Sequence, residues 1–123
     1  MKPIITKLAG VTFGGAQENI KTFGNKDIGS YALVREPDNP HDPNAIRVAL
    51  FGEIFMGYVR KEISKELAPL MDSGRNFMAF FVKLNRPWSE GPIGLTVEIR
   101  EMPENEDQGR KGQECYDLED LIS

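Results

Sequence analysis

The chain has 123 residues, 40% of them hydrophobic and 28% charged, with a net charge of −4 and one cysteine, Cys115. That length suits one domain with a core of its own, and a lone cysteine excludes an internal disulfide framework. No apolar run reaches the roughly 18 residues of a membrane span, and the first residues lack the apolar stretch of a leader, so a cytoplasmic protein is expected.

The charge is unevenly spread. Residues 1–100 hold seven Lys and six Arg against four Asp and seven Glu, a net +2, whereas residues 101–123 carry −6. A slightly basic body with an acidic tail permits local phosphate binding but not the uniform affinity of a basic coat protein.

Residues 3–12 (PIITKLAGVT) read as a first strand, rich in β-branched side chains, and Gly14-Gly15 breaks it. Residues 16–23 (AQENIKTF) read as a short helical segment, because Ile20 and Phe23 fall three apart. Residues 29–36 form a second strand. The stretch 37-PDNPHDPN-44 follows, with proline at 37, 40 and 43, a spacing that forbids a helix and a central strand alike. A stiff loop is expected there. Residues 45–51 are a third strand with Ile46, Val48 and Leu50 on one face; Gly52-Glu53 turns the chain, and 54–59 returns antiparallel. Residues 61–72 form the main helix, with Ile63, Leu67, Leu70 and Met71 in one stripe and a kink or split expected at Pro69. Strands follow at 76–85 and 93–100, joined by a loop holding Trp88. Beyond residue 102 the chain turns polar and acidic, and a disordered tail is expected at 103–123, ending in a short acidic amphipathic segment. About six strands with one main helix make a mainly β protein, a small OB-like antiparallel barrel spanning 1–102.

The loop concentrates the chemistry. Asp38, Asn39, His41, Asp42 and Asn44 crowd onto it. The ordinary work of Asp and Asn in such a place is to cap turns by accepting backbone N–H bonds, and Asp38 and Asn44 are read that way. A ring beside a carboxylate on a stiff loop, His41 and Asp42, reads instead as a binding element.

The string REPDNPHDPNAIRV, followed by GYVRKEISKELAPLMDSG at 57–74, resembles the core signature of the HIRAN family, and 9-AGVTF-13 with 18-ENI-20 resembles that family's first motif. Family members occur alone in bacteria and phages, the kind this chain most resembles, and at the N-terminus of some Swi/Snf-type DNA translocases. The resemblance implies a modified OB-like barrel that binds single-stranded DNA and recognises a free 3′ end without chemistry of its own. In the family, the Asn-Pro-aromatic-Asp part of the loop contacts the terminal nucleotide. On this chain that implies Asp42 accepting a hydrogen bond from the 3′-hydroxyl, His41 stacking on a base, Asn39 touching the nucleotide and Phe13 forming the facing wall. Some members have Arg just before that last aromatic to hold a phosphate; Thr12 stands there in this chain.

Arg35, Arg60, Lys61 and Lys65 are candidates to follow the DNA backbone, and Trp88 to stack a second base or to cover one mouth of the barrel. The ordinary reading of each cation is a solvated surface charge. Catalysis is not expected: there is no nucleophile elbow, Walker loop or zinc spacing, and Asp38 with Asp42 lacks a third carboxylate for Mg²⁺. No cofactor or metal is expected. The expected partners are single-stranded DNA or DNA ends, together with a helicase or nuclease acting in repair or fork processing. The competing reading is a protein-interaction module that docks through its acidic tail.

Overall fold

Each run of alternating apolar residues becomes a strand in the computed structural model, which describes residues 1–103. The elements in chain order are β1 (Ile4–Lys7), α1 (Ala16–Phe23), β2 (Ser30–Arg35), β3 (Ile46–Leu50), β4 (Ile54–Tyr58), α2 (Lys61–Asp72), β5 (Phe77–Asn85) and β6 (Gly94–Glu101). They form one antiparallel sheet in the order β1-β6-β5-β2-β3-β4. The sheet curls until its ends meet. Ala9, just past β1, and Tyr58, the last residue of β4, each donate a backbone N–H to the other's carbonyl at 2.8 Å. The architecture is the expected OB-like one, mainly β with two helices. The expected tail, with Cys115 and the amphipathic segment, lies beyond Pro103 and so outside the described residues.

The core fills the curl. Ile46 and Val48 of β3, Met56 of β4, Leu95, Val97 and Ile99 of β6, Ile20 of α1 and Leu67 of α2 are all essentially inaccessible to solvent. Full burial of such a side chain contributes about 1.5–3 kcal/mol. Tyr31 is buried with them and donates its hydroxyl to the Phe23 carbonyl at 2.8 Å, which ties β2 to the end of α1. That burial raises the phenol's pKa. α2 lays Ser64, Leu67 and Ala68 on the core, with Ile63, Leu70 and Met71 at the margin of the same stripe.

Three local expectations are corrected. The first strand ends at Lys7 rather than running to residue 12, because the chain changes partners: Leu8 still bonds Leu95 on β6, but Ala9 crosses to β4. Phe13 therefore sits in a turn, its N–H donated to the Gly10 carbonyl at 3.2 Å. The β3–β4 turn centres on Phe51 and Gly52 (φ 56° and 75°) rather than on Gly52-Glu53, and Glu53 N–H closes it onto the Leu50 carbonyl at 3.0 Å. Finally, α2 is not split at Pro69 but continues through it to Asp72. The proline removes the N–H that would bond the Lys65 carbonyl, but both residues are exposed, so water can serve that carbonyl.

The end of β6 is clamped by charge. Arg75 donates from Nε and Nη2 to the Glu101 carboxylate at 2.8 Å each, and the Met1 amine lies 3.4 Å from it. The Arg75 hydrogen bonds hold the Glu101 carboxyl down at about 2. A carboxyl depressed on folding stabilises the fold above its unfolded pKa, and that contribution fades as pH falls through the folded value. Wild type should therefore melt above Glu101→Gln at pH 7, with the gap closing between pH 4.5 and about 2. A pH series of thermal melts checks this, and 0.5 M salt should narrow the gap, since the pair is partly exposed.

Candidate functional site

The proline-rich loop is ordered by its own short polar side chains. Asn39 Oδ1 accepts the N–H groups of His41 and Asp42 at 2.8 and 3.1 Å, an Asx-type turn. Asp42 Oδ1 accepts the Asn44 N–H at 2.9 Å. The turn-capping oxygens are thus those of Asn39 and Asp42, rather than those of Asp38 and Asn44. Glu36 and Ala45 close the loop's base with a backbone bond of 3.0 Å. Arg35 braces it from below, donating to the Ala45 and Pro43 carbonyls at 2.9 and 3.1 Å and to both carboxylate oxygens of Asp72. The bond to Asp72 raises the guanidinium's pKa and lowers that of the carboxyl.

Glu36 is the hub between loop and sheet. Its Oε1 accepts the Tyr58 hydroxyl and Asn39 Nδ2, both at 2.9 Å, and Oε2 lies 3.4 Å from Arg47 Nη1. Burial, and then the bond to Glu36, raise the pKa of Tyr58, so its hydroxyl remains a donor at neutral pH. A bulge aligns the aromatic rings of β4. Val48 pairs with Gly57 and Ala49 with Phe55, which leaves Met56 as an extra residue. Residues three apart on a regular strand face opposite ways. The extra residue brings Phe55 and Tyr58 to one face, ring centroids 5.3 Å apart and edge to face.

These elements enclose a groove of about 640 Å³ lined by Ala9, Gly10, Phe13, Asn39, His41, Asp42, Ala45, Tyr58, Val59 and Lys61. Four sequence candidates, Phe13, Asn39, His41 and Asp42, meet there with Lys61, the first residue of α2. Phe13 is two-thirds exposed, a large apolar ring presented to solvent. Asp42 Oδ2 has no hydrogen-bond partner among the described residues, so the carboxylate is fixed by one oxygen and open at the other. The other candidates lie elsewhere. Thr12 is exposed and off the groove lining, Arg60 pairs with Glu62 at 3.2 Å, Lys65 is exposed one turn along α2, and Trp88 is fully exposed on the β5–β6 loop. Reasoning from sequence missed Tyr58 and Glu36. Tyr58 stands in the quoted GYVRKE stretch, but no local pattern announces the bulge that turns it to this face. Among the described residues no three His, Cys, Asp or Glu side chains group as metal ligands, and no helix is long and apolar enough to cross a membrane.

The HIRAN domain family model matches residues 7–101. The chain belongs to the HIRAN family. A Fanconi-associated nuclease 1 homolog of rice (Oryza sativa subsp. japonica) is 46% identical over 46 residues, covering 35% of this chain and 5% of that protein. A helicase-like transcription factor of rabbit (Oryctolagus cuniculus) is 48% identical over 42 residues, covering 34% of this chain and 4% of that protein. The chain thus spans only a small fraction of the length of these relatives. The HIRAN domain of human HLTF superposes with a TM-score of 0.61 at 21% identity, covering 87% of this chain and 80% of that one. A Lactobacillus plantarum protein superposes with a TM-score of 0.62 at 20% identity, covering 80% of this chain and 93% of its own. At these identities both likenesses show the fold.

Proposed function

We propose that this HIRAN domain is a DNA-binding module that captures single-stranded DNA at a free 3′-hydroxyl end and performs no chemistry on it. Membership of the HIRAN family supports the DNA-binding part. The observation that carries the finer reading is the half-satisfied Asp42 carboxylate, which shares one groove with the Phe13, His41 and Tyr58 rings. A terminal 3′-hydroxyl donates a hydrogen bond, whereas an internal 3′ oxygen is esterified and only accepts. An open carboxylate oxygen distinguishes the two and repels a 3′-phosphate. The rings supply stacking that tolerates any base, about 1–3 kcal/mol each. Phe13 and His41 are the stacking surfaces, and Asn39 sets the loop that carries them. Lys61, beside the positive end of α2, takes the nearest phosphate. The nuclease and helicase-like names of the relatives fit a partner enzyme that works on the same DNA ends.

Fluorescence anisotropy with short oligonucleotides, matched except for a 3′-hydroxyl or a 3′-phosphate, tests the reading. Tighter binding of the hydroxyl form is expected; equal binding would reduce the domain to a general single-strand binder. Lys61→Ala should weaken both forms to the same extent. It should also flatten the plot of log affinity against log salt by about 0.7, the share of one single-strand phosphate.

A further inference from the structure

A second concavity of about 310 Å³ adjoins the groove, lined by Phe13, Gly14, Glu36, Arg47, Phe55 and Tyr58. It shares Phe13 and Tyr58 with the groove, so the two are successive compartments along one aromatic wall. We propose that this concavity receives the base of the penultimate nucleotide, with Phe55 as its stacking platform and Arg47 as its donor. The proposal rests on the 3′-end reading above and adds the direction in which the strand leaves.

Three observations support it. The bulge at Met56 sets the Phe55 and Tyr58 rings 5.3 Å apart on one face, close enough to serve neighbouring bases of one strand. Arg47 is under-used: Nη1 reaches Glu36 at 3.4 Å and Nη2 reaches the Gly52 carbonyl at 3.2 Å, while Nε is buried with no partner among the described residues, so its remaining donors are those of the two Nη groups. A guanidinium offers five donors, and one held by two long bonds keeps donors for a base edge or a phosphate. The hairpin tip from which the chain enters β4 presents one more ring, Phe51. That residue is 82% exposed on a backbone with φ 56°, a conformation that costs a bulky residue energy. Phe13, Tyr58 and Phe55 thus mark a path from the groove along β4 toward that tip.

The experiment uses 3′-hydroxyl oligonucleotides with a single abasic site at the first, second, third or sixth position from the 3′ end, read by anisotropy. For wild type, removing the second base should weaken binding by about five- to a hundredfold, whereas the sixth should have little effect. Phe55→Ala should bind the intact strand as weakly as wild type binds the second-position abasic strand, and should no longer sense that lesion. It should keep its preference for 3′-hydroxyl over 3′-phosphate, because Asp42 is untouched. Phe55→Tyr, which keeps the ring, should restore the sensitivity. A wild type that prefers the 3′-hydroxyl yet ignores the second-position lesion overturns this subsite and leaves the end-capture reading intact. Equal binding of the two 3′ ends, or no binding of either, defeats the parent reading and the subsite with it.

Discussion

Asp42→Asn is expected to reverse the end preference of this domain, and Asp42→Ala to abolish it. In wild type one Asp42 oxygen is committed to the Asn44 N–H at 2.9 Å, and the other has no partner among the described residues, on a residue that lines the groove. A hydrogen bond to a charged group is worth about 1.5–3 kcal/mol, so the hydroxyl end should be favoured about tenfold or more, with repulsion of a 3′-phosphate widening the gap. The asparagine keeps the acceptor that holds the turn and puts an NH₂ where the open oxygen stood. That group donates, so it suits a 3′-phosphate and gives a 3′-hydroxyl no charged acceptor. Alanine removes both the acceptor and the turn bond, which should also lower stability by about 1 kcal/mol. The measurement is the ratio of dissociation constants for the two 3′ ends in all three proteins. An Asp42→Asn variant that still prefers the hydroxyl would remove Asp42 from end recognition.

Local pattern was enough for the elements whose evidence is local. The stripe of Ile63, Leu67, Leu70 and Met71 gave α2 its bounds of 61–72, and Ile20 with Phe23 placed α1 between the glycines that flank it. The strands followed from alternation, each to within a residue or two except β1. What sequence could not reveal depends on partners distant in the chain. β1 stops early because the switch of partner from β6 to β4 is set by where those strands lie, and nothing in PIITKLAGVT marks the change.

 The residue that switches is Ala9, bonded to Tyr58 on β4 while its neighbour Leu8 is bonded to Leu95 beyond the start of β6. The bulge at Met56 is equally silent in IFMGYV, although it decides that Phe55 and Tyr58 share a face. In the loop, the residue types pointed to turn-capping, but the allocation among Asp38, Asn39, Asp42 and Asn44 depends on backbone directions that composition does not carry. Arg35 shows the same limit. A cation beside a binding loop invites a phosphate, yet two carbonyls and Asp72 engage its guanidinium and make it a brace. The gathering of Phe13, Asn39, His41 and Asp42 into one groove was expected from the family resemblance, because residues about thirty apart in the chain have no local signal of being neighbours.

Closure of the sheet and construction of the groove are one event, and Gly57→Ala should damage both. Gly57 has φ 147°, and a Cβ there would lie 2.9 Å from the Ala9 carbonyl oxygen and 3.2 Å from Leu8 Cβ. Neither neighbour is the free end of a flexible side chain, so the Ala9–Tyr58 bridge must open or the strand must shift. Strain of this kind with a lost backbone pair should cost about 3 kcal/mol, on the order of a 12–24 °C fall in melting temperature for a domain of this size. Gly52→Ala is the control: its φ is 75°, but nothing lies within 4 Å of the added carbon, so only the backbone term of about 1 kcal/mol applies. The bridge also holds Ala9 and Gly10 beside Tyr58 in the lining of the groove. Measured well below its melting point, Gly57→Ala should therefore bind single-stranded DNA at least tenfold more weakly, whereas Gly52→Ala should bind like wild type. Unchanged binding by a destabilised but folded Gly57→Ala would mean that the loop at 36–45 builds the site alone. Weakened binding would place one wall of the site on the seam where the two edges of the sheet meet.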